Sequence, residues 1–248
     1  MSDDLVSLRL LLIAATRRDE ELWRQAVAIA SIPIEFASQE AEPAAGALAR
    51  VGPDICVVEG SLPKPIMTTV INSARAAASK PLIFVSASAG TRHIEGIDGR
   101  LAKPSNVEDA HRLVEICIRS KVPTRVLIVD DSSTMRSIVR KILSASNFPL
   151  SIEEAEEGIA ALNQLRTGKF SLVFLDYNMP GLNGFETLSE IKRNNSKVAV
   201  VMMTSTLDNA IADRAHAAGA LAFLQKPFYP SDIDTVLERY YGLHALRG

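Results

Sequence analysis

Apolar runs rich in Val, Ile and Leu recur along the chain at intervals of about 20–30 residues, and amphipathic stretches separate them. Runs of this length read as strands buried on both faces, and the stretches between them read as the helices that cover those faces. In the first half the predicted strands are LRLLLIA (8–14), IPIEF (32–36), DICVVE (54–59), PLIFVS (81–86) and GRLA (99–102), followed by a helix from about Val107 to Arg119. In the second half they are RVLIVD (125–130), LSIEEA (150–155), SLVFLD (171–176), VAVVMMT (198–204) and ALAFLQ (220–225). Helices there begin near Thr134, Ile159, Gly184 and Asp208, and a last one runs from about Asp232 to Tyr241.

The halves repeat each other. ICVVEGSLP (55–63) and LVFLDYNMP (172–180) both place four apolar residues before an acid and a proline four positions after it, with Glu59 in one and Asp176 in the other. An offset of about 117 residues pairs Glu59 with Asp176, Pro63 with Pro180 and Ser86 with Thr204, and after one gap Lys103-Pro104 matches Lys226-Pro227. Self-similarity of this kind marks a duplicated fold. The join is SKVPTR (120–125), where Pro123 disfavours helix at Val122. The expectation is two α/β domains in tandem, 1–121 and 122–248, each a doubly wound parallel sheet, and 248 residues suit two domains of ordinary size.

Composition narrows the function. Hydrophobic residues make up 47% of the chain, enough for two cores, and the net charge of −2 divides to about −1 on either side of Val122. Neither half carries the basic footprint of a nucleic-acid binder. The start, MSDDLVSLRLLLIAATRRD, has acids where a secretory signal has positive charge, and its apolar run falls short of the ~20 residues that span a bilayer. A cytoplasmic protein with no membrane partner is expected. Cys56 and Cys117 have no partner at metal or redox spacing and read as packed thiols. His93, His111, His216 and His244 read as surface or helix-end residues. No glycine-rich nucleotide loop follows a strand.

Open parallel sheets carry their functional groups at the carboxyl ends of the strands. In the second half Asp130 and Asp131 end the first strand, Asp176 the third and Thr204 the fourth, and Lys226 follows the fifth. With the first and third strands adjacent and central, all five converge on one crevice. Taken singly, an Asp pair also serves as a turn or helix cap and a Lys-Pro as a loop; the constellation carries the reading. Three carboxylates at close range raise one another's pKa unless cations compensate. Lys226 supplies one charge, and a hard divalent ion such as Mg²⁺ suits the acids. A carboxylate facing such an ion, a hydroxyl and a lysine is equipped to attack a phosphoryl group.

VLIVDDSSTMRSIVRKIL, LVFLDYNMPGLNGFETL, VVMMTS and FLQKPF together resemble the receiver domain of two-component response regulators, and Thr134 to Leu143 is similar to the single-domain chemotaxis regulator. The likeness runs from about Pro123 onward and implies a flavodoxin-like (βα)5 fold in each half. It implies that Asp176 accepts a phosphoryl group from a histidine kinase or histidine phosphotransfer protein. It further implies that Asp131, Asp176 and the backbone carbonyl of Asn178 bind Mg²⁺, with Asp130 acting largely through water. Thr204 and Lys226 would contact the phosphoryl oxygens, and Phe223 would be the aromatic switch residue, although an aromatic in a terminal strand also serves as core. A cis Lys226-Pro227 peptide is expected, and Asn178 and Thr206 occupy positions that the family links to dephosphorylation rate.

The first half departs from this pattern. Ala14-Ala15 stand in place of the acid pair, and Glu59 carries an extra methylene that moves its oxygens from the attack position. It resembles the inactive receivers found in tandem with active ones, and no phosphorylation is expected there. Two readings of Glu59 stay open: an ion pair with Lys103, or a solvated acid at the rim. Ser86 and Lys103 are 17 positions apart against 22 for Thr204 and Lys226, and the intervening ASAGTRHIEGIDGR holds three glycines, so the fourth helix there is expected to be shortened or melted.

The resulting expectation is a response regulator without enzymatic activity of its own. Six residues follow Gly242, so output is expected through contacts of the receivers themselves with a downstream protein such as a motor component, a kinase or another regulator. Copies could also pair through the output face as a homodimer. A phosphate sink or relay is the alternative, and an aspartate-based phosphohydrolase is a more distant one, because such enzymes carry a second acid two residues after the nucleophile, where Asn178 stands.

Overall fold

The computed structural model describes residues 7–40, 44–88, 94–206 and 209–243. The chain forms two compact units, one of Met1–Val122 together with Tyr241–Gly248, the other of Pro123–Tyr240. Val122 is extended, as the residue before a proline must be, and it closes the helix that ends the first unit.

In the first unit β1 (Leu8–Ala14), β2 (Ile34–Glu40), β3 (Ile55–Glu59), β4 (Leu82–Ala87) and β5 (Gly99–Ala102) make one parallel sheet in the order β2-β1-β3-β4-β5. Every residue of β3 and β4 is buried, which is why both read as unbroken apolar runs. α1 (Arg17–Ala28), α2 (Ala44–Val51), α3 (Lys64–Ala76) and α4 (Val107–Lys121) pack on the sheet. α1 starts at Thr16, whose hydroxyl accepts the Asp19 N–H, and it buries Trp23 completely. Between β4 and β5, residues 89–93 lie outside the described ones; among the described residues there, 94–98, the chain forms turns and no helix. Leu243 completes this unit, lying so close to Gly99 that a Cβ there would fall 2.7 Å from its Cδ1.

The second unit repeats the topology. β6 (Thr124–Val129), β7 (Leu150–Ala155), β8 (Leu172–Asp176), β9 (Ala199–Thr204) and β10 (Ala222–Gln225) stand in the order β7-β6-β8-β9-β10, all parallel. Five helices follow in alternation: α5 (Ser133–Ser144), α6 (Gly158–Thr167), α7 (Gly184–Asn194), α8 (Asn209–Ala217) and α9 (Pro230–Tyr241). The two flavodoxin-like sheets expected from the sequence are both present. Each unit has its own apolar core, built around Leu127, Phe170, Val173 and Leu188 in the second and Leu11, Val58, Ile71 and Val85 in the first. Cys56 and Cys117 are buried free thiols, and burial pushes Cys56 up to about 12. His111 sits on α4 against Glu115 and His216 in the last turn of α8; His93 and His244 lie outside the described residues.

Candidate functional site

In the second unit β6 and β8 are adjacent, so their carboxyl ends deliver Asp130, Asp131 and Asp176 to one place. One oxygen of each carboxylate lies within 4.8 Å of the others. Asp130 and Asp176 are buried, while Asp131 is exposed. The Lys226 ammonium donates to Asp130 Oδ2 at 2.7 Å and to Asp176 Oδ1 at 2.8 Å. Its backbone is held by a 2.6 Å bond from Lys226 N–H to the Thr204 carbonyl, and the Lys226-Pro227 peptide is cis, as expected. Thr204 is fully buried at the end of β9, and its hydroxyl accepts the Thr206 N–H at 3.1 Å. Asn178 is exposed in the turn two residues after Asp176. Phe223 stands opposite Met202 on β10, partly buried against the core.

The electrostatics follow from this packing. Burial pushes the Asp176 carboxyl up, Lys226 opposes the rise, and Asp130 and Asp131 add to it. Burial works to lower the Lys226 ammonium, but its bonds to Asp130 and Asp176 prevail and hold it above the ordinary lysine range. Three carboxylates thus face one ammonium. Their all-oxygen donor set and surplus negative charge fit a hard divalent cation such as Mg²⁺.

Two residues that sequence reasoning passed over shape this pocket. Gly184, which the sequence marks only as a helix start, lets α7 begin directly behind the β8 turn: a Cβ there would sit 2.1 Å from the Asp176 carbonyl oxygen. Its signal was a glycine at the first helical position after Asn183, whose side chain caps α7 in a capping box with Glu186. Arg136 on α5 turns back toward the end of β6, donating to the carbonyls of Asp130 at 2.9 Å and Asp131 at 3.4 Å. It also donates to Glu154 at 3.0 Å and Glu156 at 2.8 Å.

The corresponding place in the first unit is different in kind. Ala14 at the end of β1 and Ala15 just beyond it stand where β6 is followed by the acids, as the register of the central strands requires. Glu59 is fully buried, which overturns the rim-acid reading. Lys103 Nζ stands 3.2 Å from Glu59 Oε2 and 3.2 Å from Asp19 Oδ1, so a helix-borne acid takes up the role that Asp130 fills toward Lys226. Burial pushes Glu59 up, Lys103 opposes this and Asp19 adds to it. The pairing of Ser86 with Thr204 also needs correction. Ser86 is the β4 partner of Glu59, just as Met203 is the β9 partner of Asp176. Lys103 N–H bonds to the carbonyl of Ala87, as Lys226 N–H bonds to that of Thr204. The true counterpart of Thr204 is therefore Ala87, which has no hydroxyl; the pairing of Ser86 with Thr204 departs by one residue from the offset that relates Glu59 to Asp176.

Fold and pocket together define a tandem doubly wound α/β protein with a carboxylate–lysine crevice at the carboxyl edge of its second sheet. The sequence profile of the response regulator receiver domain matches residues 126–238. Chemotaxis protein CheY-3 of Vibrio cholerae is 34% identical over 119 residues, covering 47% of this chain and 91% of that protein. Chemotaxis protein CheY of Bacillus subtilis is 34% identical over 114 residues, covering 46% and 92%. The chain belongs to the response regulator receiver domain family. Over nearly its whole length it also has the fold of a solved probable two-component system response regulator/GGDEF domain protein, with 97% of this chain and 99% of that chain covered, TM-score 0.58 and 19% identity. No helix among the described residues is long and apolar enough to cross a membrane.

Proposed function

We propose that the second unit is the phosphorylatable receiver of a cytoplasmic two-component phosphorelay and that the first is a pseudo-receiver. The observation that carries this reading is the Lys226 ammonium bound at once to Asp130 and Asp176 with Asp131 alongside. A carboxylate oxygen of Asp176 attacks the phosphorus carried by a histidine kinase or phosphotransfer protein. The acyl phosphate forms as the bond from phosphorus to the imidazole nitrogen breaks, with its electron pair left on that nitrogen. Asp131, Asp176 and the Asn178 carbonyl, with Asp130 acting through water, would hold Mg²⁺, which would neutralise charge on the phosphoryl oxygens. Lys226 provides a second positive charge and the Thr204 hydroxyl a hydrogen bond to those oxygens. Phe223 follows Thr204, and the surface of α8, β10 and α9 changes its affinity for a downstream protein.

Ala14, Ala15 and Ala87 support the pseudo-receiver reading, since neither an acid pair nor a hydroxyl stands where the second unit has them. The exposed Asn178, in place of a second acid, supports signalling over steady phosphate-ester hydrolysis.

Incubating the full chain with acetyl phosphate and Mg²⁺ tests the reading by intact mass. One phosphoryl group per chain is expected, lost on chelation and lost in Asp176→Asn. Undiminished labelling of Asp176→Asn overturns it.

A further inference from the structure

We infer that Arg136 is a positioning residue for the divalent-cation site, setting the affinity of the Asp130–Asp131 turn for Mg²⁺ without touching the ion. The inference rests on the metal-binding reading above. Arg136 is 8% exposed, and its guanidinium spans three groups: the Asp130 and Asp131 carbonyls, Glu154 on β7, and Glu156 just beyond it. Those carbonyls belong to the two residues whose carboxylates enter the acidic cluster. The Asp130 side chain is already fixed by Ser132 N–H on Oδ1 at 2.9 Å and by Lys226 on Oδ2 at 2.7 Å. Nothing comparable reaches the exposed Asp131 carboxylate among the described hydrogen bonds, so its direction depends on the backbone that Arg136 grips.

The location argues against a role in helix stability alone. Arg136 lies in the opening turn of α5, where the helix dipole disfavours a cation. Glu154 and Glu156 offset that charge, and the planar fork suits several acceptors at once, which a lysine ammonium on a flexible stem does not. Arg140 reinforces the clamp by binding the other oxygen of Glu154. Partners outside the coordination sphere commonly change metal affinity 10–100-fold when removed.

Position and charge predict opposite signs. If Arg136 acts through its charge, its removal relieves repulsion of a cation and tightens binding; if it acts through position, removal loosens binding. The test is calorimetric titration of the full chain with MgCl₂ for wild type, Arg136→Gln and Arg136→Lys, with thermal melts in parallel. Both variants are expected to bind about 10–100-fold more weakly. The Mg²⁺ concentration giving half-maximal acetyl phosphate labelling should rise by the same factor, while the rate at saturating Mg²⁺ returns towards wild type. Arg136→Lys keeps the charge and most of the stem, so it decides the matter where Arg136→Gln melts too low to titrate. Wild-type binding with unchanged affinity in the folded variants, or tighter binding in Arg136→Gln, overturns this inference alone. A wild-type chain that takes up no ion overturns it together with the proposed function.

Discussion

Glu59 is a carboxylate with no exposed surface, and a buried charge persists only with compensating partners. Lys103 is that partner and reaches Asp19 as well, so one ammonium serves two acids. Removing it strands Glu59 and leaves Asp19 with the Thr16 hydroxyl, whereas removing Glu59 leaves Lys103 with Asp19. Lys103→Met is therefore expected to destabilise the first unit by about 2–3 kcal/mol, below the ~3–5 kcal/mol of a fully buried pair because Lys103 is 33% exposed and partly screened. Adding Glu59→Gln should restore part of the loss, and urea unfolding of the two variants measures both. Equal stability of Lys103→Met and wild type would mean that the cluster holds nothing in place. The residue scale also shows why the two pockets differ: in the second unit three acids share Lys226 and leave negative charge for a cation, while in the first two acids share Lys103, one of them reached from a helix.

At the scale of elements, α5 is tied to the edge strand β7 by charge. The Arg140 guanidinium beside Glu154 holds its carboxyl below the ordinary glutamate range, partial burial opposes this, and Arg136 adds to the lowering. A carboxyl lowered by folding contributes stability above its unfolded pKa near ~4.3 and loses that contribution as pH falls through the folded value. Glu154→Gln should accordingly be less stable than wild type by about 1 kcal/mol at pH 7, and the difference should vanish at an acid pH below both the unfolded and the folded value. Denaturant midpoints at the two pH values check it, and a difference that persists in acid removes the ion-pair explanation. These contacts mark the limit of what was legible in the chain. Buried central strands announce themselves as apolar runs, and the acids and Lys226 stand at strand ends, where a reading by pattern looks for them. Asp19 and Arg136 reach the pockets from helices, so no strand-end motif contains them. The slip between Ser86 and Ala87 has a different origin: it matched hydroxyl to hydroxyl by residue type, whereas the spacing of Glu59 from Asp176, carried on unchanged, already pairs Ala87 with Thr204, as the strand register does.

For the whole molecule, duplication has produced two units of one topology with separate cores and unequal pockets. A ligand that binds a native unit and not its unfolded chain stabilises that unit by an amount set by its concentration over Kd, about 2.7 kcal/mol at a hundredfold excess. The second unit offers Mg²⁺ three clustered carboxylates about one ammonium; in the first, Ala14 and Ala15 stand where the acid pair would be, and the two acids present, Glu59 and Asp19, are both paired with Lys103. Scanning calorimetry of the full chain should therefore show Mg²⁺ raising the melting of one unit by on the order of 10 °C, the shift that such a stabilisation produces in a domain of this size. The other unit should melt where it did before. Lys103→Met identifies which is which, since it lowers only the transition that the ion leaves in place. If Mg²⁺ raised both transitions alike, the first unit would hold a cation site of its own, and its assignment as a pseudo-receiver would have to be abandoned.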